Sequence, residues 1–468
     1  MKYPLIVLSA LLLSSCAVGP DYKRPALPVP ASYRAPQPLP MQQAASLADL
    51  KWFEVFNDEQ LNVLMLTALK QNYDLRDAVA RVQQARANLG ITRSNQLPQF
   101  SGSAALEVTR LSRDGQTPLP ASFVKEQNRN WGEASLNLLS FEIDLWGRLR
   151  RATEASRANL LNAEENRKAV VTTLVSDVAT NYFSLLQLDY ELEISRRTLD
   201  TRRQSLTLVQ ERQSGGVATL LDLRQAEQLV ASAAQTIPVL QQQIEQEENQ
   251  ISLLTGNSPA GVIRGRKFTE QKMPPETPAG LPSSLLERRP DIRAAEQALV
   301  AANANIGVAK AAYFPQLSLS GLLGGQSTQL ANLFSGPRST WSFVPQVSQP
   351  IFAGGRLKSG VKLAEAERDS ALVQYEKSIQ TAFTEVSNAL VARQRTRESR
   401  IEQERLVTAL QDRTRLAYVR YRGGVDTQLN ALDADRDLFQ AELSLAQIRL
   451  NELLSVVQLY KALGGGWQ

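Results

Sequence analysis

One thiol, Cys16, and no imidazole at all are available for chemistry in this chain of 468 residues. Without histidine there can be no His-based triad, no His general base and no His metal ligand. A lone cysteine cannot close an intramolecular disulfide or build a Cys zinc site. The 47 Asp and Glu side chains remain. They keep a carboxylate enzyme of the glycosidase kind open as an alternative, although none stands in a recognisable constellation. Lys and Arg number 52, for a net charge of +5. They are scattered along acidic, helix-like segments rather than gathered on one face, so no nucleic-acid partner is expected.

The setting of Cys16 is specific. Lys2 precedes an apolar run from Leu5 to Leu13, and Leu13-Ser14-Ser15-Cys16 follows. The run is too short for a bilayer span of about 20 residues and matches the apolar core of a secretory signal peptide. Leu at −3 with small residues at −2 and −1 looks like a bacterial lipobox. An ordinary signal peptide with a chance cysteine is the alternative. The expectation is removal of residues 1–15 and lipidation of Cys16, with a diacylglycerol on sulfur and an acyl chain on nitrogen. No other cofactor and no metal are expected. Ala17 rather than Asp follows, which by resemblance to bacterial lipoproteins permits export to the outer membrane. Pro25, Pro28, Pro30, Pro36, Pro38 and Pro40 then make residues 16–45 read as an extended, polyproline-like tether.

The rest of the chain is a duplicated unit. Asn88-Leu89-Gly90-Ile91 recurs as Asn305-Ile306-Gly307-Val308, Leu97-Pro98-Gln99-Phe100 as Phe314-Pro315-Gln316-Leu317, and Asp74-Leu75-Arg76 as Asp291-Ile292-Arg293, all offset by 217 residues. Gly147-Arg148-Leu149 recurs as Gly355-Arg356-Leu357, and Gly215-Gly216-Val217 as Gly423-Gly424-Val425, offset by 208. The first copy therefore carries about nine extra residues between Phe100 and Gly147, as loops allow. The copies span residues 46–255 and 283–468, with a Pro-rich linker over 256–282.

Each copy has one plan. A helix over 72–95, or 291–313, ends before Pro98 or Pro315. Two alternating strands follow, near 99–110 and 131–144 in the first copy and near 316–325 and 341–352 in the second. The phase changes around Leu138, which suggests a bulge, and Pro345 should weaken a regular ladder. The connections, rich in Gly, Pro, Ser and Asn, read as hairpin loops. Then comes a helix of some 65 residues, roughly 100 Å at 1.5 Å per residue. Gly-Gly-Val turns it into a return helix, giving helical hairpins over 147–255 and 355–463. Pro238 should kink the first return helix.

Strands with Leu, Val, Ala and Phe on one side and Ser, Glu and Gln on the other suit a barrel between lipid and a wet lumen. They also suit a small sheet packed on helices in a soluble domain. Four strands cannot close a membrane barrel, which needs about eight, and open edges are not tolerated in lipid. Chains would have to share the barrel, two giving eight strands or three giving twelve. The long helices, with Ala152, Ala155, Ala158, Ala364, Ala366 and Ala371 among Gln, Arg and Glu, suit either a soluble coiled-coil bundle or a tube with one polar surface lining water.

Several blocks resemble the outer membrane efflux protein family, TolC/OprM-like, and its lipoprotein branch. They are Cys16-Ala17-Val18-Gly19-Pro20-Asp21-Tyr22, Trp52-Phe53-Glu54-Val55-Phe56, residues 281–292 (LPSSLLERRPDI) and Tyr421-Arg422-Gly423-Gly424-Val425-Asp426 through Leu432-Asp433-Ala434. The resemblance implies a mainly α fold with a membrane β-barrel portion. It would be a homotrimer, with four strands per chain in a shared 12-stranded barrel, a long periplasmic α-helical barrel and an equatorial domain. It further implies a passive outer-membrane exit duct, not an enzyme, anchored to outer-membrane lipid. Its partners would be a periplasmic adaptor and an inner-membrane pump of the resistance-nodulation-division type. By the same resemblance Leu429 and Asp433 match a periplasmic gate. The Gly215-Gly216-Val217 and Gly423-Gly424-Val425 turns match adaptor-contacting tips. A periplasmic coiled-coil adaptor or a poreless structural lipoprotein is the alternative, though it needs no amphipathic strands.

Overall fold

A computed structural model describes residues 17–26, 30, 32–35, 47–110, 128–271, 282–333 and 335–467. Cys16, the expected signal peptide, half of the Pro-rich tether and the 111–127 connection lie outside the described residues. The elements run α1 (Trp52–Phe56), α2 (Glu59–Gln71), α3 (Tyr73–Ser94), β1 (Phe100–Arg110), β2 (Asn128–Ile143), α4 (Arg148–Ser214), α5 (Leu220–Leu254), α6 (Leu285–Arg288), α7 (Pro290–Ala311), β3 (Gln316–Ser327), β4 (Ser339–Ser348), α8 (Arg356–Arg422) and α9 (Gln428–Ala462). Both long helices hold 67 residues and both return helices 35. Contacts divide the chain into two units, and the division runs across the two repeats rather than between them.

The first unit holds the sheet and the adjoining helix ends. The strands form one antiparallel sheet in the order β1-β2-β3-β4. The register of β2 against β3 shifts between Leu138 and Phe141, which is the expected bulge. Pro345 stays within β4, opposite Leu319. The fourth strand stops at Ser348, short of the expected 352. Pro350 has no N–H for a ladder, and Gly354 and Gly355 adopt φ of 54° and 86°, turning the chain into α8. Ala155 and Ala158 of α4 pack on Ala301 and Ala304 of α7, small residues that let helix backbones approach closely. The segment after Cys16 is fixed here. The Val18 N–H donates to Trp146 O at 2.9 Å, Arg151 pairs with Asp21 at 2.7 Å, and Asn303 Nδ2 donates to Pro20 O at 2.9 Å. Trp146 stacks on Phe314 with centroids 4.7 Å apart.

The second unit holds the helical hairpins and the linker. Gly216 and Gly424 take φ of 75° and 74°, and the Val217 and Val425 N–H groups reach back to Arg212 O and Arg420 O, ending each long helix as a Schellman turn. Thr219 caps α5, with Asp222 closing a capping box. Pro238 lies inside a continuous α5. The hairpins differ inside. In the first, Leu185 and Leu192 pack on Leu240, Ile244 and Ile251. In the second, Arg400 and Glu452 stand where the first copy has Leu192 and Ile244. Arg400 Nε donates to Glu452 at 2.6 Å, and Glu404 joins Arg400 to Arg449 at 2.8 and 2.9 Å.

Asp58, fully buried, fastens three segments of this unit. Its Oδ1 accepts from the N–H groups of Gln60 and Leu61 at 3.0 and 3.1 Å, capping α2, and from the Tyr182 hydroxyl of α4 at 3.1 Å. Its Oδ2 accepts from Gln271 Nε2 at 2.8 Å and the Arg266 N–H at 3.3 Å in the linker. Gly265 is required beside it, because a Cβ there would lie 2.5 Å from Asp58 Oδ1. Replacing Asp58 by Ala should cost on the order of 2–4 kcal/mol, from a lost cap and abandoned buried donors. Asn should cost less than Ala. A shift in the thermal unfolding midpoint in detergent reads this out, and equal midpoints for wild type and Asp58→Ala would refute it.

Candidate functional site

The sheet has two chemically distinct faces. By register, Phe100, Leu138, Gly321 and Phe343 lie side by side on one face, as do Gly102, Leu136, Leu323 and Trp341. Past the bulge the same face continues with Phe141, Leu319 and Pro345, then Ile143, Leu317 and Val347. The opposite face carries Ser101, Asn137, Leu322 and Ser342 in one row and Ser103, Ser135, Gly324 and Thr340 in the next, with Glu107, Glu133 and Gln326 beyond. Ser103 Oγ lies 2.9 Å from Ser135 Oγ and accepts from Asn137 Nδ2 at 2.9 Å, so the polar side chains bond across strands. The bulge serves this division, since one added residue restores the apolar phase of β2.

The apolar face is bare. Trp341 is 75% exposed, Val108 71% and Phe100 63%. A soluble sheet would cover such a surface; left bare over this area, it marks contact with a membrane or with another protein. Strands of 10 to 16 residues are long enough to cross a membrane tilted. The polar face then needs water. Edge strands β1 and β4 have no outer partner among the described residues.

At the far ends of the helical hairpins the two Gly-Gly-Val turns lie side by side. Arg212 donates to Tyr421 O and Arg422 O at 3.4 and 3.3 Å and sits over the Tyr421 ring at 4.5 Å. Gln428 Nε2 returns a bond to Asp222 O at 3.3 Å. Val217 and Val425 project, 80% and 67% exposed. Leu429 and Asp433 fall one turn apart on one face of α9. Leu429 is exposed, and Asp433 is paired with Arg436 at 3.1 Å. The first-copy equivalents are Leu221, also exposed, and Gln225. Among the described residues no cluster of His, Cys, Asp or Glu could hold a metal ion.

Sequence reasoning missed the ion pair beneath this end. Arg202 of α4 meets Asp435 of α9 at 2.6 Å, with side chains only 3% and 8% exposed. Arg202 also donates to Leu229 O at 3.0 Å and lies over the Phe439 ring at 5.1 Å. Burial pushes the Asp435 carboxyl up, and the Arg202 guanidinium pulls it back down. A break in the repeat could have revealed the pair, because Arg202 stands where the second copy has Leu410.

A family model described as "Outer membrane efflux protein" matches residues 64–257 and 281–465. Among curated proteins, the toluene efflux pump outer membrane protein TtgC of Pseudomonas putida is 38% identical over 99% of this chain and 95% of its own length. The cation efflux system protein CusC of Escherichia coli is 36% identical over 98% and 97%. Among solved structures, the open-state MtrE outer membrane channel of Neisseria gonorrhoeae superposes with a TM-score of 0.87 at 31% identity, covering 97% of this chain and 99% of that one.

Replacing Arg202 by Leu should destabilise the protein by about 3–5 kcal/mol, because it leaves a buried carboxylate unpaired. The double replacement Arg202→Leu/Asp435→Leu should recover most of the loss. Denaturation midpoints of the single and double variants test this, and a double variant no better than the single would overturn the assignment.

Proposed function

The chain belongs to the outer membrane efflux protein family, and from that premise we propose that it works as a trimer whose three sheets close one twelve-stranded barrel. It is the outer-membrane exit duct of a tripartite efflux pump, with its long helices reaching into the periplasm. The observation that carries the barrel is the four-stranded sheet with one apolar face, one polar face and two edges unpaired among the described residues. An even number of antiparallel strands lets β4 of one copy meet β1 of the next, also antiparallel, so that every edge is consumed. The apolar face then meets lipid and the polar face lines the lumen. A coiled-coil adaptor needs no such sheet.

The partners are a periplasmic adaptor and an inner-membrane pump, which we read as the resistance-nodulation-division type. The pump supplies the energy, and the duct passes drugs or other small molecules passively without a catalytic residue. Relatives are named for toluene, antibiotics and cations, so shared architecture does not by itself set the cargo. In a trimer, Leu429 and Asp433 would form stacked rings at the periplasmic end. The apolar ring resists water and ions when narrow, and the carboxylate ring favours cations. The exposed Val217 and Val425 turns, with Gly215, Gly216, Gly423 and Gly424 shaping them, are the adaptor-contacting tips.

Lipid attachment at Cys16 fits the placement of the next residues. Ala17 packs so closely on Gly147 that a Cβ there would lie 2.7 Å from it, and Val18 bonds to Trp146, three residues past the end of β2. An acyl chain on the preceding residue would start at the edge of the membrane-spanning sheet.

The purified protein should run as a heat-resistant trimer in detergent and conduct ions in planar bilayers; a soluble, non-conducting monomer would sink the duct. Asp433→Ala should lower cation preference and change conductance, and an unchanged reversal potential under a salt gradient would remove Asp433 from the gate. Metabolic labelling with an alkynyl fatty acid should mark the wild type and not Cys16→Ala. Equal labelling of both would place the lipid elsewhere.

A further inference from the structure

Arg202 of α4 grips α9 at two points. Its guanidinium donates to Asp435 at 2.6 Å and lies over the Phe439 ring at 5.1 Å. Residues 435 and 439 are about one helical turn apart on the same face. Arg202 is itself held from α5, where it donates to Leu229 O at 3.0 Å. Thr414 of α8 adds a bond to Ala434 O at 3.0 Å, next to Asp435 in the chain. A helix held at one point can still turn about its axis. Held at two points along one face, it keeps both its rotation and its axial position. The side chains of Arg202 and Asp435 are 3% and 8% exposed within a single copy, so this clamp needs no neighbouring chain.

Asp433 lies two residues before Asp435. That is about 200° of rotation and about 3 Å of rise. The contacts that turn Asp435 into the bundle therefore turn Asp433 away from it, and the Asp433 side chain is 37% exposed. The partner of Asp433, Arg436, is on the same helix and turns with it. That pair cannot fix the direction in which α9 presents the carboxylate. The internal repeat supplies a control. At the 208-residue offset, Leu410 stands for Arg202, Glu227 for Asp435, Ala231 for Phe439 and Gln225 for Asp433. Glu227 pairs with Arg224 of its own helix at 2.6 Å and is 38% exposed. Among the described residues the clamp thus holds only the return helix that carries an acid at the gate position.

We propose that Arg202 is a positioning residue of the gate. By holding Asp435 and Phe439 it sets the rotation and depth of the start of α9. Asp433 of every copy then points the same way at the same level, and three carboxylates act as one ring. The inference rests on the reading of Asp433 as a gate residue given above.

Full-length trimers are measured in planar bilayers under a salt gradient, with thermal midpoints taken in detergent. Arg202→Leu/Asp435→Leu leaves no buried charge unpaired, so its midpoint should stay near wild type. Its reversal potential should nonetheless move most of the way to that of Asp433→Ala. Adding Asp433→Ala to it should move the potential little further. Arg202→Lys keeps the charge but has no planar fork to reach Leu229 O and Asp435 while stacking on Phe439. It should shift the potential in the same direction by less, and it serves alone if the double variant forms no trimer. A nitroxide at Asp433→Cys, with the unsubstituted protein as blank, gives a second readout by double electron–electron resonance. Distances between copies should be narrowly distributed, and broad once Arg202→Leu/Asp435→Leu is added. An unshifted potential in Asp433→Ala would remove the gate reading itself. If Asp433→Ala shifts the potential while Arg202→Leu/Asp435→Leu and Arg202→Lys do not, the gate stands and the positioning role is overturned. Equally narrow label distances with and without the clamp would overturn it as well.

Discussion

An unpaired sheet edge cannot exist in hydrocarbon, and the described residues of this chain leave two. Each edge strand presents a row of N–H and C=O groups with no water to satisfy them, at several kcal/mol per group. The chain's own sheet is too narrow to curl closed, since four strands are half the smallest known membrane barrel, about eight. In the proposed trimer, membrane insertion is therefore tied to assembly with further copies. The even strand number makes that closure uniformly antiparallel. The bulge at Leu138 keeps β2 apolar on the lipid side down to Ile143.

Duplication gave both halves the same elements, and divergence gave them different interiors. Equivalent positions hold Leu192 and Ile244 in one hairpin and the Arg400–Glu452 pair in the other. An ion pair with one partner buried and the other half-buried is seldom more stabilising than the apolar pair it replaces, because desolvation offsets much of the attraction. What it adds is directionality, since the bonds of Arg400 to Glu452 and of Arg449 to Glu404 join α8 to α9 at fixed positions. The two copies meet at the tips through contacts with no twofold counterpart. Arg212 holds the end of α8, and its equivalent Arg420 instead folds onto its own turn, pairing with Asp426 at 3.0 Å. Ala218 stands at the matching place in the first copy.

Linear patterns revealed much of the architecture. The constant offsets located both repeats, and the Gly-Gly-Val breaks placed the tips to the residue. Alternation found all four strands, although it ran the last one four residues too far through Ile351 and Phe352. Those two are apolar and follow the strand, so no period distinguishes them; Pro350 was the available stop. Leu429 and Asp433, proposed above as the gate, came from family resemblance. The structure adds that Asp433 has Arg436 beside it, a partner three residues along the same helix.

By itself the sequence determined the lengths, order and faces of the elements, because helix and strand periods and the residues that end them act over a few neighbours. It also determined that reactive chemistry is scarce, because zero His and one Cys need no structure to interpret. Only the tertiary structure decided which polar groups meet. Arg202 and Asp435 are 233 residues apart, and Asp58 reaches Gln271 across 213. No local pattern encodes such a pairing. It exists only when two distant segments are brought into contact and water is excluded between them, and that exclusion makes the partner's identity matter.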